Sequence, residues 1–273
     1  MTEEIDPAGR VAIVTGAARG LGHAMAEGLA RAGCRVVATT ARSAGDLDAL
    51  AARLPGMIVP MMADVTDEDA CRRAVERARA TFGRLDILVN NAGLGMRTIA
   101  PRFLVEPSRF WETDPEAWQR LIDTNVNGPY LMARAAVPAM LAAGWGRVVN
   151  ISMNYATMRR AGFSPYGPSK AALESETVIW AQDLAGTGIT VNALLPGGAT
   201  RTGMIPDGMP EALVSTLLDP AIVVPPLLYL ASARSDGVTG RRFDARAWRG
   251  EKAGPDAPPA SGEAGWPEAR EGG

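Results

Sequence analysis

Tyr166 and Lys170 stand four residues apart in the run Ser164-Pro165-Tyr166-Gly167-Pro168-Ser169-Lys170. On a helix that spacing puts a phenol and an amine on one face. A free phenol ionises near pH 10, too high for a ready base at neutrality, and an ammonium one turn away lowers it by charge. Far upstream, Thr15-Gly16-Ala17-Ala18-Arg19-Gly20-Leu21-Gly22 reads as a glycine-rich turn between a strand and a helix, the arrangement that seats a pyrophosphate. A proton donor and a dinucleotide seat in one chain point to hydride transfer between an alcohol and a carbonyl.

The elements that would position these groups alternate along the chain. Short apolar runs at 11–15, 35–40, 57–62, 87–90, 147–152, 190–195 and 241–244 read as strands, several of them apolar throughout, as strands covered on both faces are. Helical patterns fall at about 21–32, 46–54, 67–82, 115–143, 165–185 and 220–233. Thr66 and Asp69 form a candidate capping box for the third helix, and Gly33, Gly83 and Gly144 mark helix ends. This is the order of a βαβ chain, an α/β fold with a Rossmann-like parallel sheet, here one domain over residues 1–248. From residue 249 to 273 Gly, Pro, Ala and Glu replace any periodicity, so this tail is expected to lack fixed structure, with Trp248 and Trp266 free to dock on the body or a partner.

Composition narrows the class. The chain has 273 residues, 47% hydrophobic and 21% charged, a net charge of −2 and a pI near 5.6. That balance leaves no electrostatic footprint for nucleic acid. No apolar run approaches the roughly 18 residues that span a bilayer. The acidic start Met1-Thr2-Glu3-Glu4-Ile5-Asp6 lacks the basic and apolar regions of a signal peptide, so a cytoplasmic location is expected. Cys34 and Cys71 are too few for a disulfide framework or a cysteine metal site. The sole histidine, His23, lies in the glycine-turn helix, which disfavours a histidine metal centre and a serine-histidine-aspartate triad.

Three further stretches stand where a dinucleotide site needs them. Asp64-Val65 ends the third strand, where a carboxylate can accept from an adenine amino group. Asn90-Asn91-Ala92-Gly93 ends the fourth, at the crevice outside the strand ends. Pro196-Gly197-Gly198 ends the sixth, near the place of a nicotinamide carboxamide. Within the glycine run, Gly16 supplies a turn conformation barred to other residues, Gly20 lets backbone amides approach phosphate, and Gly22 permits close helix packing.

With the glycine turn, Asp64, the Asn-Asn-Ala-Gly run, Asn125 in Asn125-Val126-Asn127-Gly128, the Tyr-x-x-x-Lys pair and the Pro-Gly segment in this order, the chain resembles a short-chain dehydrogenase/reductase of the common single-domain type over roughly residues 8–245. The resemblance implies a seven-stranded parallel sheet with helices on both faces, and a homodimer or homotetramer. It implies an NAD(P)-dependent exchange of hydride with a secondary alcohol, ketone or aldehyde. In that frame Tyr166 is the general acid/base, Lys170 also binds the nicotinamide ribose, and Asn125 holds a water that passes protons to solvent. The stretch 198–210 becomes a mobile lid by the same analogy. The cofactor residues it implies are Gly16, Arg19, Gly20, Leu21, Gly22, Thr40, Arg42, Asp64, Val65, Asn91, Ala92, Gly93, Tyr166, Lys170, Pro196 and Gly197.

Cofactor preference turns on the end of the second strand, Val37-Ala38-Thr39-Thr40-Ala41-Arg42-Ser43. NAD enzymes place a carboxylate there for the ribose hydroxyls, whereas a nearby arginine suits a 2′-phosphate. Thr40 replaces the acid and Arg42 and Arg19 supply cations, so NADP is favoured over NAD.

Two features depart from the family pattern. A serine expected about thirteen residues before the tyrosine, where it polarises the substrate oxygen, falls on Met153, and a thioether has no proton to donate. Ser152 fills the role if the loop is one residue longer; Asn154, or no second donor at all, are the alternatives, and Ser152 is favoured. The segment between Gly93 and Asn125 is longer than usual, with Arg97, Arg102, Phe103, Arg109, Phe110 and Trp111, and is either a substrate lid or a solvated insertion. A non-catalytic dinucleotide-binding or scaffold protein is the alternative reading. A nucleotide-sugar epimerase or dehydratase is a third, disfavoured by chain length and glycine spacing.

Overall fold

The computed structural model of the chain describes residues 7–42, 45–205, 209, 211–249 and 261–263. Seven parallel strands carry the sheet: β1 (Val11–Val14), β2 (Arg35–Thr40), β3 (Ile58–Met62), β4 (Ile87–Asn90), β5 (Gly146–Ile151), β6 (Ile189–Leu195) and β7 (Arg241–Asp244). Each lies where the apolar runs placed it, with ends displaced by at most one residue. The spatial order is β3-β2-β1-β4-β5-β6-β7-β8, in which β8 (Ser261–Glu263) runs antiparallel to β7. These three residues pair with the sheet although they fall in the stretch read as lacking fixed structure; Trp266 and most of that tail lie outside the described residues.

Successive strand residues point to opposite faces, and both faces are covered. Ala12, Val14, Val36, Val89 and Val149 pack with α1 (Gly20–Arg31), α2 (Gly45–Arg53) and α9 (Val224–Leu230) through Met25, Leu29, Leu50 and Leu227. Their neighbours Val11, Ile13, Val37, Leu88 and Val148 pack with α3 (Glu68–Phe82) and α5 (Gly128–Ala143) through Ala74, Val75, Met132 and Met140. This two-sided burial is why the strands read as unbroken apolar runs. No described helix is long and apolar enough to cross a membrane.

Three local expectations are corrected. The third helix is capped by Asp67, whose side chain accepts from the Asp69 amide, while the Thr66 hydroxyl donates to Asp64 at 2.8 Å instead of forming a capping box. The long helix expected over 115–143 is α4 (Pro115–Ile122) and α5 joined through a π-turn, Asp123–Asn127. Wide turns of this kind recur at functional sites, and this one carries Asn125. A Cβ at Gly128, just beyond it, would lie 2.6 Å from Val65 Cγ2, so this helix joint sits tight against the end of β3. The helical run at 220–233, which follows the single-turn α8 (Glu211–Val214), is likewise a 3-10 turn, Pro220–Val223, leading into α9, whose first turn holds Pro225 and Pro226.

The chain runs β1, β2, β3 outward on one side and then returns to place β4 beside β1. The helices leaving β1 and β4 diverge there, and a crevice opens at the carboxyl ends of the strands.

Candidate active site

The glycine turn is built from both sides of that crevice. Gly16 and Gly20 have φ of +64° and +58°, a region that costs residues with a Cβ. The Asn91 side-chain amide donates to Thr15 O (2.8 Å) and Gly16 O (3.1 Å), and the Thr15 hydroxyl accepts from the Asn91 and Ala92 amides at 3.0 Å each. A Cβ on Gly22 would fall 2.4 Å from both Asn91 Nδ2 and Gly16 O. Arg19 precedes α1 without a side-chain cap, which leaves the first helical amides to an external anion. These are the features a dinucleotide pyrophosphate fits: a turn with no room for side chains and a helix start with unspent donors.

A cleft of about 480 Å³ runs from this turn past the ends of β2, β3 and β4. It brings together Gly16, Arg19, Thr40, Arg42, Asp64, Val65, Asn91, Ala92 and Gly93, as the sequence reading had them. It also holds residues that reading missed: Asp46 from α2, and Arg120, Asp123 and Thr124 from α4 and the π-turn. Asp64 is partly engaged, accepting from the Thr66 amide and hydroxyl through Oδ1. Ser43, beyond Arg42, lies outside the described residues.

A second cleft, of about 250 Å³, shares Leu21 of the glycine turn and contains Ser152, Tyr166, Lys170, Pro196 and Gly197. Tyr166 opens α7 (Tyr166–Asp183) and Lys170 follows one turn later, so the pair does share a face. The Lys170 ammonium donates to Ile151 O at 2.8 Å. Burial pushes the lysine down to about 8, with the charge of Glu174 pulling partly back. Burial likewise pushes the Tyr166 phenol up to about 12. The expected lowering of the phenol by Lys170 is therefore not what the chain alone displays: desolvation dominates both groups, and the amine is turned to a carbonyl.

The lysine shift has a testable sign. Because the folded value lies below the ordinary 10.5, the unfolded chain binds more protons between about pH 8 and 10.5, and stability rises with pH across that window. Denaturant melts of wild type and Lys170→Met at pH 8 and pH 10 should show the wild type gaining stability relative to the variant as pH rises; the raised Cys71 and Tyr166 groups, which pull stability down toward pH 10, are common to both. Parallel trends would refute the buried-amine reading.

Asn125 is fully buried in the π-turn. Its Oδ1 accepts from the Leu94 amide (2.7 Å), and Nδ2 donates to Leu94 O (2.9 Å) and Ser169 Oγ (3.1 Å). Its side chain thus clamps the exit of β4 to α7 and lines neither cleft. Ser152 lies at the cleft, but its hydroxyl donates to Glu174 at 2.5 Å. Glu174, buried one turn after Lys170, is paired with Arg242 of β7 at 3.0 Å. Arg242 also reaches Met153 O at 2.6 Å and lies 4.0 Å over the Tyr155 ring. Sequence reasoning missed Glu174, although Tyr166, Lys170 and Glu174 recur every four residues on α7.

The long segment after β4 divides in two. Met96, Phe103 and Leu104 wall the second cleft, with Phe103 edge-on to Phe163 at 5.5 Å. Arg97 reaches Gly203 O at 3.3 Å. Phe110 and Trp111 instead point outward, 67% and 64% exposed. Of the expected lid at 198–210, residues 206–208 and 210 lie outside the described set, while Met204, Ile205 and Met209 line the cleft.

A doubly wound sheet with a phosphate-seating turn and a tyrosine-lysine pair around one crevice defines a nicotinamide-dependent oxidoreductase. The model of the short chain dehydrogenase family matches residues 10–209, and the chain belongs to that family. It is 33% identical over 243 residues to the 3-oxoacyl-(acyl-carrier-protein) reductase FabG of Thermotoga maritima, covering 85% of this chain and 94% of the relative. It is 32% identical over 246 residues to the short chain dehydrogenase mpl6 of Monascus purpureus, covering 87% and 80%. Among solved structures, 3-ketoacyl-(acyl-carrier-protein) reductase from Brucella melitensis complexed with NADH superposes with a TM-score of 0.78 at 29% identity, over 88% of this chain and 97% of that one. The chain is thus an NAD(P)-dependent oxidoreductase acting between carbonyl and alcohol.

Proposed function

We propose that the chain interconverts a small, largely apolar ketone or aldehyde and its alcohol, with Tyr166 giving and taking the proton on oxygen and NADP as the preferred cofactor. The observation that carries this is the convergence of Tyr166, Lys170, Leu21, Pro196 and Gly197 on one cleft, contiguous with the glycine turn. When bound there, the dinucleotide supplies or accepts the hydride. Gly16, Gly20 and Gly22 make room for its pyrophosphate, Arg19 and Arg42 face its adenosine end, and Lys170 sets its amine one helical turn from the phenol, in the same cleft. Asn125 is assigned a positioning role, fixing the β4 exit against α7 at the Lys170 turn. Apart from Lys170 and Arg160, the described residues that line the second cleft are uncharged, among them Met96, Phe103, Phe163 and Met204. That lining favours an apolar substrate body, and a homologous enzyme's reduction of 3-oxoacyl groups is in keeping with it.

NADP is supported by Thr40 at the strand end and by Arg19 and Arg42 in the cleft; Asp46, in the same cleft, works against it. Tryptophan fluorescence titration should show NADPH binding tighter than NADH by about tenfold or more, the worth of one charged hydrogen bond. Arg42→Asp should abolish or reverse that preference. Tighter NADH binding by the wild type would overturn the NADP assignment. One observation favours a second reading, a dinucleotide-binding protein with impaired catalysis: Met153 stands where a donor is expected and Ser152 is spent on Glu174. Tight cofactor binding without turnover on a broad ketone and alcohol panel would support it. We also infer a homo-oligomer, supported by the exposed apolar side chains of Tyr130 and Leu141 on α5 and Ile179 on α7.

A further inference from the structure

We propose that Asn154 supplies the second hydrogen bond to the substrate oxygen, through its side-chain amide nitrogen. The inference rests on the oxidoreductase reading above and names the donor that reading lacks.

The protons available at the cleft decide which group can donate. Ser152 has one, and it is held by Glu174 Oε1 at 2.5 Å. Glu174 is ion-paired with Arg242 at 3.0 Å, and a carboxylate in that state only accepts. The shared proton is therefore the serine's, and Ser152 offers the cleft a lone pair, which repels a carbonyl oxygen. Met153 has no donor. The Tyr155 hydroxyl is also hydrogen-bonded to Glu174.

Asn154 differs from all three. Its Oδ1 accepts from the Thr157 amide at 2.8 Å, capping α6 (Tyr155–Met158). A backbone N–H can only donate, so the atom it faces is the oxygen, and the two amide protons lie on the other side of the group. Among the described residues the amide nitrogen has no hydrogen-bond partner, and Asn154 is one of the residues that line the cleft holding Tyr166. The cap fixes the amide plane before any substrate arrives, which is what makes a donor effective as charge develops on oxygen. Thr157 also lines the cleft, but its hydroxyl is a free rotor that must be oriented during the reaction.

The test compares Asn154→Asp, Asn154→Ala, Ser152→Ala and Met153→Ser/Asn154→Asp in the full chain, reading NADPH affinity, thermal midpoint and ketone turnover. Asn154→Asp keeps the oxygen for Thr157 and replaces the donor by an acceptor; Asn154→Ala removes the donor without adding charge. Both should lower kcat by about 10²–10³, with NADPH affinity within about threefold of wild type. Ser152→Ala should lose less than about tenfold. Adding Met153→Ser to Asn154→Asp should return at least about tenfold of the lost rate, because a hydroxyl then stands where the family pattern expects one. Wild-type turnover in either Asn154 variant, or a hundredfold loss in Ser152→Ala with Asn154→Ala near wild type, overturns the inference alone. Failure of the wild type to bind either dinucleotide overturns it together with the function it rests on.

Discussion

Tyr166→Phe should lower kcat by about 10³, within the 10²–10⁴ range of general acid-base catalysis, and leave NADPH affinity within about twofold. Phenylalanine keeps the ring that opens α7 and removes only the hydroxyl, so folding and cofactor binding provide the internal control. With burial holding the phenol up at about 12, the protonated form dominates at neutrality. That form is the acid needed for ketone reduction, so the reductive kcat should stay flat between pH 6 and 8. The reverse reaction needs the phenolate, and its rate should climb with pH over the same range. Stopped-flow or steady-state assays in both directions read this directly. A Tyr166→Phe variant within tenfold of wild type would remove the phenol from the mechanism.

The second large effect belongs to Gly22→Ala, which should weaken both NADPH and NADH binding by about a hundredfold or more. The added Cβ would sit 2.4 Å from Asn91 Nδ2 and 2.4 Å from Gly16 O. Neither is the end of a flexible side chain with somewhere to go: the asparagine amide is hydrogen-bonded to Thr15 O and Gly16 O, and the other atom is backbone. Relief of the clash therefore has to move the turn that seats the pyrophosphate. The core beneath α1, through Met25 and Leu29, is untouched, so circular dichroism should remain native while calorimetric titration shows the loss. Unchanged affinity would mean that the glycine turn is not the phosphate seat.

The sheet was legible because its strands are buried on both faces, which writes itself into the sequence as unbroken apolar runs at 11–14, 36–38 and 87–89. The cofactor turn was legible because Gly16, Gly20 and Gly22 answer local requirements of φ and space. What stayed hidden depends on side chains meeting across distant elements. The π-turn at Asp123–Asn127 contains neither glycine nor proline, so nothing local marks where the helix widens. Asp67 was passed over as a cap for Thr66 because the two are adjacent and either hydroxyl or carboxylate suits the position. Ser152 was favoured as a donor because nothing in its neighbourhood in sequence shows that Glu174, 22 residues on, takes its proton. Arg242, 68 residues beyond Glu174, completes that arrangement and was equally invisible.

The proteins' cations are almost all arginines: of 28 lysines and arginines, only Lys170 and Lys252 are lysines. Lys252 lies outside the described residues, and Lys170 is buried against Ile151 O one helical turn after Tyr166. Amine chemistry in this chain is thus nearly synonymous with its reaction centre. A sample carrying isotope only in lysine side-chain nitrogens reports on two atoms, one of them at the site. The reaction centre can therefore be followed one atom at a time without altering the sequence.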